Sequence, residues 1–362
     1  MQISNLLFEL IQSSVGKRTS LSFNPTDEEW MDLFLLAKKQ ALIGIIYHGI
    51  ENLEDKNQLP NRNIRMSWFM TAEKIKKRNH FLDQKCIELQ SMLSEAGFRS
   101  SILKGQGLAK YYIDELQSLR SPGDIDVYVD CGREKALAYA KSLGKCDIDW
   151  DYKHLHLRIW ENTSIELHYR VEIVLNPFKN IRLQRWFDKN KELMFDEDGK
   201  MVAPSITMNL FYILLHMYCH FFGSGIGMKQ LIDYLFVIRS ANGHFGCFHH
   251  GETINDVLRK FGMSRFAGGI MWLLSEVAGL ERSYMYCSPY EKEGRYILNE
   301  MLLSGNLGKY DQRVKQFNHM GKVGDALYIF KHNAHLFKMY PQDALMSPLW
   351  YVWHKAWMIK NK

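Results

Sequence analysis

The residues with the clearest chemical content in this chain are three acids. Asp124 and Asp126 flank Ile125 in the run Arg120-Ser121-Pro122-Gly123-Asp124-Ile125-Asp126-Val127-Tyr128-Val129. Side chains alternate faces along a strand, so both aspartates project to one side, roughly 7 Å apart. Ile125, Val127 and Val129 form an apolar face on the other side. Two like charges so placed repel unless something neutralises them. A hard divalent cation does this with oxygen ligands, and Mg²⁺ favours a few carboxylates plus substrate phosphate oxygens. Glu166 offers a third acid by the same logic. In Ser164–Arg170 it shares a face with Ser164, His168 and Arg170, while Ile165, Leu167 and Tyr169 face the core. Any one of these acids could belong to a solvated strand edge. Their conjunction, in this order, points to metal-assisted chemistry on a phosphate.

Positive charge is available beside them. Lys104-Gly105 closes a short strand candidate, Ser101–Lys104, and a helix is expected just after it. Glycine permits close backbone approach, and helix N-terminal amides attract anions. Lys104 and Arg120 add cationic side chains next to the acidic strand.

These groups need elements to hold them, and the chain has the composition to build those. It has 362 residues, 46% hydrophobic and 24% charged, with 46 basic and 40 acidic side chains and a net charge of +6. Disordered, collagenous and coiled-coil classes are excluded. The length fits two domains or three small ones. The mild positive balance accommodates an anionic ligand and does not call for stable DNA binding. The N-terminus lacks the pattern of a secretory signal. The most apolar stretch, Ile206–Phe222, is interrupted by Asn209, His216 and His220, so it reads as a buried helix and no transmembrane segment is expected. Six dispersed cysteines (Cys86, Cys131, Cys146, Cys219, Cys247, Cys287) read as reduced thiols in a cytoplasmic protein.

Along the chain, Thr26 and Glu29 form a capping box before Trp30, Leu33, Phe34, Ala37 and Ala41 at helical spacing. A long helix is expected from about Arg62 to Ala96, with Ile75, Leu82, Leu89 and Leu93 as its apolar stripe. After Phe98 the texture changes. Ile125–Val129 alternates as a strand, Leu137–Leu143 is helical, and His154–Trp160 with Ser164–Arg170 reads as a hairpin about Glu161-Asn162-Thr163. From Pro204 the signal is helical to the end. The best segments are Ile206–Phe222, Met228–Ser240 and Ile254–Gly279, with a turn at Gly223–Gly227 between the first two.

Four other features are read as structural. His216 and His220 lie one helical turn apart with no acid at a matching spacing. His244, Cys247, His249 and His250 lack a second ligand pair at zinc-finger spacing. Lys229 and Asp233 fit an i,i+4 salt bridge. The C-terminal Trp350, Trp353 and Trp357, with Lys355, Lys360 and Lys362, fit an aromatic helix docked on the bundle better than a membrane-surface helix.

Taken together, a strand ending in Lys-Gly, a helix, an Asp-x-Asp strand and a later strand acid resemble the polymerase-beta-like nucleotidyltransferase superfamily. More narrowly, the chain is similar to bacterial uncharacterised nucleotidyltransferases. The matching residues are Leu103-Lys104-Gly105, Arg120 with Asp124-Ile125-Asp126, Glu166-Leu167-His168-Tyr169-Arg170, and Gly225-Ile226-Gly227-Met228-Lys229 ahead of Asp233. The implied fold is α+β. A small mixed β-sheet nucleotidyltransferase core (98–200) is flanked by an N-terminal helical segment (1–97) and a C-terminal helical domain (201–362). The implied reaction moves a nucleoside monophosphate from an NTP to an acceptor hydroxyl, with release of pyrophosphate. Asp124, Asp126 and Glu166 would be catalytic and hold Mg²⁺ or Mn²⁺, two ions about 3.5–4 Å apart. Lys104, Gly105, Arg120 and Lys229 would bind nucleotide. The acceptor, whether small molecule, protein or RNA end, is left open, as is the choice of NTP. The wider superfamily usually has a Gly followed by Ser, or a second Gly-Ser, at the phosphate turn, and here the turn is Gly105-Gln106-Gly107. A metal-dependent nuclease, or a catalytically degenerate nucleotide-binding module, are the alternatives.

Overall fold

The computed structural model describes residues 2–144, 148–197, 199–223, 225–308, 310–311, 331, 336–337 and 339–361. Cys146, Ser224 and Lys362 lie outside these residues. The helices are α1 (Gln2–Ser14), α2 (Asp27–Lys39), α3 (Ile43–Glu51), α4 (Arg62–Glu95), α5 (Asp114–Gln117), α6 (Gly132–Ser142) and α7 (Pro177–Lys189). They continue as α8 (Ile206–Phe222), α9 (Met228–Ala241), α10 (Ile254–Phe261), α11 (Ser264–Ala278), α12 (Glu291–Ser304) and α13 (Pro341–Asn361). The strands are β1 (Ser100–Ile102), β2 (Ile125–Val129), β3 (Asp149–Trp150), β4 (His154–Trp160) and β5 (Thr163–His168). The architecture is α+β, one mixed sheet with helical segments at both ends.

The sheet order is β1-β2-β5-β4-β3. Among the described residues the one parallel pair, β2 with β5, sets Asp126 directly opposite Glu166. That register follows from the apolar pattern, because a slip of one residue would turn Ile125 and Val127 out of the core. Ile125, Val127, Val129, Ile165, Leu167, Leu155 and Leu157 pack on one face against Leu82, Leu89 and Leu93 of α4 and Ala136 and Ala140 of α6. A larger core joins helices from both ends of the chain, including Leu6 and Leu10 of α1, Trp30 of α2, Phe211 and Leu214 of α8 and Leu235 of α9. The polar face of the sheet therefore looks toward α8 and α9.

Several expectations hold in detail. The Thr26–Glu29 capping box forms, the long helix α4 runs as expected, and the hairpin closes with Leu155 opposite Leu167. The five described cysteines are free thiols. No helix among the described residues is long and apolar enough to cross a membrane.

Other expectations are corrected. The stripe read through Ala41 stops earlier, since α2 ends at Lys39 and Ala41 has a φ of 56°. The single helix expected over 254–279 is two, broken where Gly262 caps α10 with left-handed backbone (φ 72°). The helix expected after Lys104-Gly105 is a seven-residue 3-10 helix, Gly105–Tyr111, whose aligned peptides are too few for a strong N-terminal charge. α13 meets the bundle as expected, where Asp343 accepts from Tyr218 of α8 and pairs with Lys179 of α7, but its tryptophans pack at the sheet end. Trp350, Trp353 and Trp357 all meet the Tyr152 ring edge-on, with centroids 5.0–5.5 Å away.

Gly107 in the 3-10 turn faces the chain it follows. A Cβ there would stand 2.3 Å from the Ile102 carbonyl oxygen, a backbone atom that cannot swing away. Gly107→Ala is expected to cost roughly 1–3 kcal/mol of stability through this overpacking. A urea titration checks it; an unchanged midpoint would mean that the turn yields freely.

Candidate active site

Strand alternation and the β2–β5 register bring the acids together. Asp124 sits one residue before β2, exposed, while Asp126 lies inside the strand and is 2% exposed. One carboxylate oxygen from each of Asp124, Asp126 and Glu166 falls within 4.8 Å of the others. The cleft in front of the aspartates is lined by Lys104, Gly105, Arg120 and Lys229, with His216 and Asp233 behind them, and encloses about 60 Å³.

The negative charge is answered from two sides. Lys104 Nζ stands 3.1 Å from Asp126 Oδ1. His168 Nε2 lies 3.2 Å from Asp126 Oδ1 and 3.3 Å from Glu166 Oε2, so a proton there is shared between both carboxylates. Burial alone would raise the Asp126 pKa, but the Lys104 charge and the His168 hydrogen bond outweigh it and hold the carboxyl below the usual range. Glu166 is held well below it in the same way, burial being overcome by His168, His154 and Lys104. Asp124 goes the other way: repulsion from Asp126, and then burial, raise its pKa. The surplus negative charge of the cluster is thus concentrated on Asp124 at the mouth of the cleft.

Behind Lys104 runs a buried relay. His216 Nε2 is 3.5 Å from Lys104 Nζ, and His216 Nδ1 is 2.9 Å from Glu172 Oε2. The other Glu172 oxygen takes Lys153 Nζ at 3.0 Å. Burial, then the Lys104 charge, pull the His216 pKa to about 4, so its ring is neutral and its free nitrogen can accept from the lysine. The spacing of His216 in the sequence marks it only as structural and carries no sign of these partners. Glu172 and Lys153 carry no sequence signal at all, because their partners are far away in the chain.

Asp233 does not pair with Lys229 as the i,i+4 spacing implied. Both its oxygens are taken by Arg120, Nε to Oδ1 at 2.6 Å and Nη2 to Oδ2 at 2.8 Å, and the Tyr112 hydroxyl donates to Oδ1 at 2.6 Å. Arg120 lines the cleft with its guanidinium committed to this pair. Lys229 makes no salt bridge among the described residues; burial, then Arg120, lower its pKa to about 7. Gln106 turns away from the acids and donates to Asp83 Oδ1 on α4 at 2.6 Å. His244, Cys247, His249 and His250 form no metal-donor group among the described residues.

A protein-family model described as uncharacterised nucleotidyltransferase matches residues 26–279. No curated protein and no solved structure matches the chain.

Proposed function

The chain belongs to the uncharacterised nucleotidyltransferase family, and from that premise we propose that it is a Mg²⁺- or Mn²⁺-dependent enzyme transferring a nucleoside monophosphate from an NTP to an acceptor hydroxyl. The observation that carries this reading is the convergence of Asp124, Asp126 and Glu166 within 4.8 Å, beside a cleft lined by Lys104 and Lys229. The donor set is all oxygen, which suits a hard dication. The raised Asp124 pKa is the mark of a repulsion that such an ion relieves. Bound there, the ion would neutralise triphosphate charge and ease deprotonation of the acceptor.

The chain's own residues supply the rest. Glu166, kept ionised by His168, lies beside the aspartates; its lowered pKa makes it a weak base, so it would take the acceptor's proton only once a bound ion has acidified that hydroxyl. Lys104 and Lys229 give the cleft its cationic wall. At about 60 Å³ the cleft is too small for a whole nucleotide, so in this reading it would take phosphate and leave base and ribose outside.

Lys229 gives this reading a pH signature. Arg120, Asp233, Asp124 and Lys104 are the charged groups around it, and its pKa is near 7. Protonated Lys229 attracts a polyanion and neutral Lys229 does not. Affinity for pyrophosphate is therefore expected to fall as pH rises from about 6 to 8. Isothermal titration should show the slope flattened in Lys229→Met, and an equal slope in both proteins would remove Lys229 from the anion site.

The function itself is tested by incubating the protein with each α-labelled NTP, Mg²⁺ or Mn²⁺, and small-molecule, protein and RNA acceptors. Label transfer with matching pyrophosphate is expected. A second reading, a binding module without turnover, is favoured by Gln106, which puts no hydroxyl at the phosphate turn; it predicts NTP binding with no pyrophosphate. Cleavage of an oligonucleotide without any NTP would instead identify a nuclease.

A further inference from the structure

A second donor set lies on the same sheet face, one strand further from the cleft. In the β4–β5 register His154 stands opposite His168, and His156 opposite Glu166. Their neighbours Leu155, Leu157 and Leu167 point into the core, so alternation sends all four of these side chains to the polar face. The pattern is His-x-His on one strand and Glu-x-His on the other.

The distances are those of a ligand cage. His154, Glu166 and His168 each offer an atom within 4.8 Å of the others. His168 Nε2 is 3.3 Å and His154 Nε2 3.9 Å from the same oxygen, Glu166 Oε2. His156 Nε2 lies 2.9 Å from His154 Nε2. Donors bound about 2.0–2.2 Å from one ion stand roughly 3–4 Å apart, so His154, Glu166 and His168 need only small shifts, whereas His156 is not within that 4.8 Å group and joins by turning its ring from His154.

A separate observation concerns the nitrogens left over. His154 and His168 are 7% and 1% exposed, and the Nδ1 atom of each is buried without a hydrogen-bond partner. Around His154 the other two imidazoles crowd in, with ring centroids 4.5 and 4.9 Å away. Asp151 Oδ1 stands 3.6 Å from His154 Nδ1. That is beyond hydrogen-bond distance, and closing it by a few tenths of an ångström would give the carboxylate support usual for a metal-bound imidazole.

We propose that His154, Glu166 and His168, with His156 as the fourth ligand, form a binding site for a borderline transition-metal dication of the Zn²⁺ class. Imidazole-rich ligation selects Zn²⁺, Co²⁺, Ni²⁺ or Cu²⁺ over Mg²⁺, so this site differs in chemistry from the all-oxygen set. Glu166 belongs to both, and an ion on the histidines would replace the proton on His168 Nε2 that Asp126 and Glu166 share, releasing it on binding. The inference does not depend on nucleotidyl transfer and can hold if that reading fails.

The test uses the full chain titrated with Cu²⁺ and followed by electron paramagnetic resonance, together with Co²⁺ affinity from its visible absorption. One tight ion with splitting from more than one imidazole nitrogen is expected. His154→Ala should weaken Co²⁺ binding by at least ~10-fold, the lower end of what losing even a supporting partner costs. His156→Ala, at a half-buried position, repeats the test should His154→Ala fail to fold by circular dichroism. Asp124→Asn should bind Co²⁺ as the parent does, which separates this site from the aspartates. Absence of nitrogen splitting in the parent, or parental Co²⁺ affinity in a folded His154→Ala or His156→Ala protein, overturns the proposal. Co²⁺ binding without label transfer from any NTP would sink only the transferase reading.

Discussion

Pyrophosphate release is expected to fall by at least ~10³-fold when Asp124→Asn and Asp126→Asn are combined. A Lewis-acid ion contributes several kcal/mol of charge stabilisation, and each 1.36 kcal/mol is tenfold in rate. The two amides keep the shape of the carboxylates and remove the charge that would hold the ion. The fold should survive, because Glu166 still receives the His168 proton at 3.3 Å and the apolar side of β2 is untouched. Asp124→Asn alone should raise the melting temperature in the absence of metal, since its carboxyl is held in charged form against repulsion from Asp126. That gain belongs to neutral pH and disappears as pH falls through the carboxylate range, where Asp124 is protonated in any case. Stability spent at a functional site is a common pattern, so a stabilised but inactive variant is the informative outcome. A double variant that still transfers label at the parental rate would falsify the assignment of these acids.

The largest stability effect is expected at Asp233, outside the acid cluster. Asp233→Ala removes both acceptors of the Arg120 guanidinium and the partner of the Tyr112 hydroxyl, at a position 5% exposed. Leaving such a charge buried and uncompensated costs about 3–5 kcal/mol, a large part of the roughly 5–15 kcal/mol that holds a domain together. The loss also spreads through the chain. The Asn79 amide holds the Ser118 and Arg120 carbonyls, each at 2.7 Å, so Arg120 ties the approach to β2 to both α4 and α9. Urea unfolding should show the drop, and Arg120→Met with Asp233→Leu should recover most of it, because no orphaned charge remains. Without that recovery, the cost lies in shape and not in charge. Burial alone would raise the Asp233 pKa, but Arg120 outweighs burial and lowers it. The pair's contribution is therefore intact above the unfolded carboxylate pKa of about 3.9 and is lost as pH falls below it.

Local elements were legible where local energetics decide them. The Thr26–Glu29 box, the stripe of α4 and the alternation of β2, β4 and β5 each follow from neighbours within a few residues, and the structure keeps them. The break at Gly262 and the 3-10 geometry after Lys104 were harder to read, because apolar spacing continues across both. The pairing of Asp233 with Lys229 was the natural expectation from one helix face. It failed because Arg120 offers a bidentate fork from across a buried gap, and a fork satisfies both carboxylate oxygens where an ammonium satisfies one.

The sequence by itself determined that Asp126 and Glu166 lie on the polar faces of their strands, with Asp124 just ahead of β2, since a period of two and an apolar opposite face leave no other choice. Only the tertiary structure decided that β5 runs parallel beside β2 with Glu166 across from Asp126, and that Lys104, His168 and His216 meet around them. The physical reason is range. Side-chain alternation is a property of a few consecutive peptides, whereas strand pairing and buried charge compensation join residues tens of positions apart, and their choice is settled by which packing of the whole core leaves fewest charges unpaired.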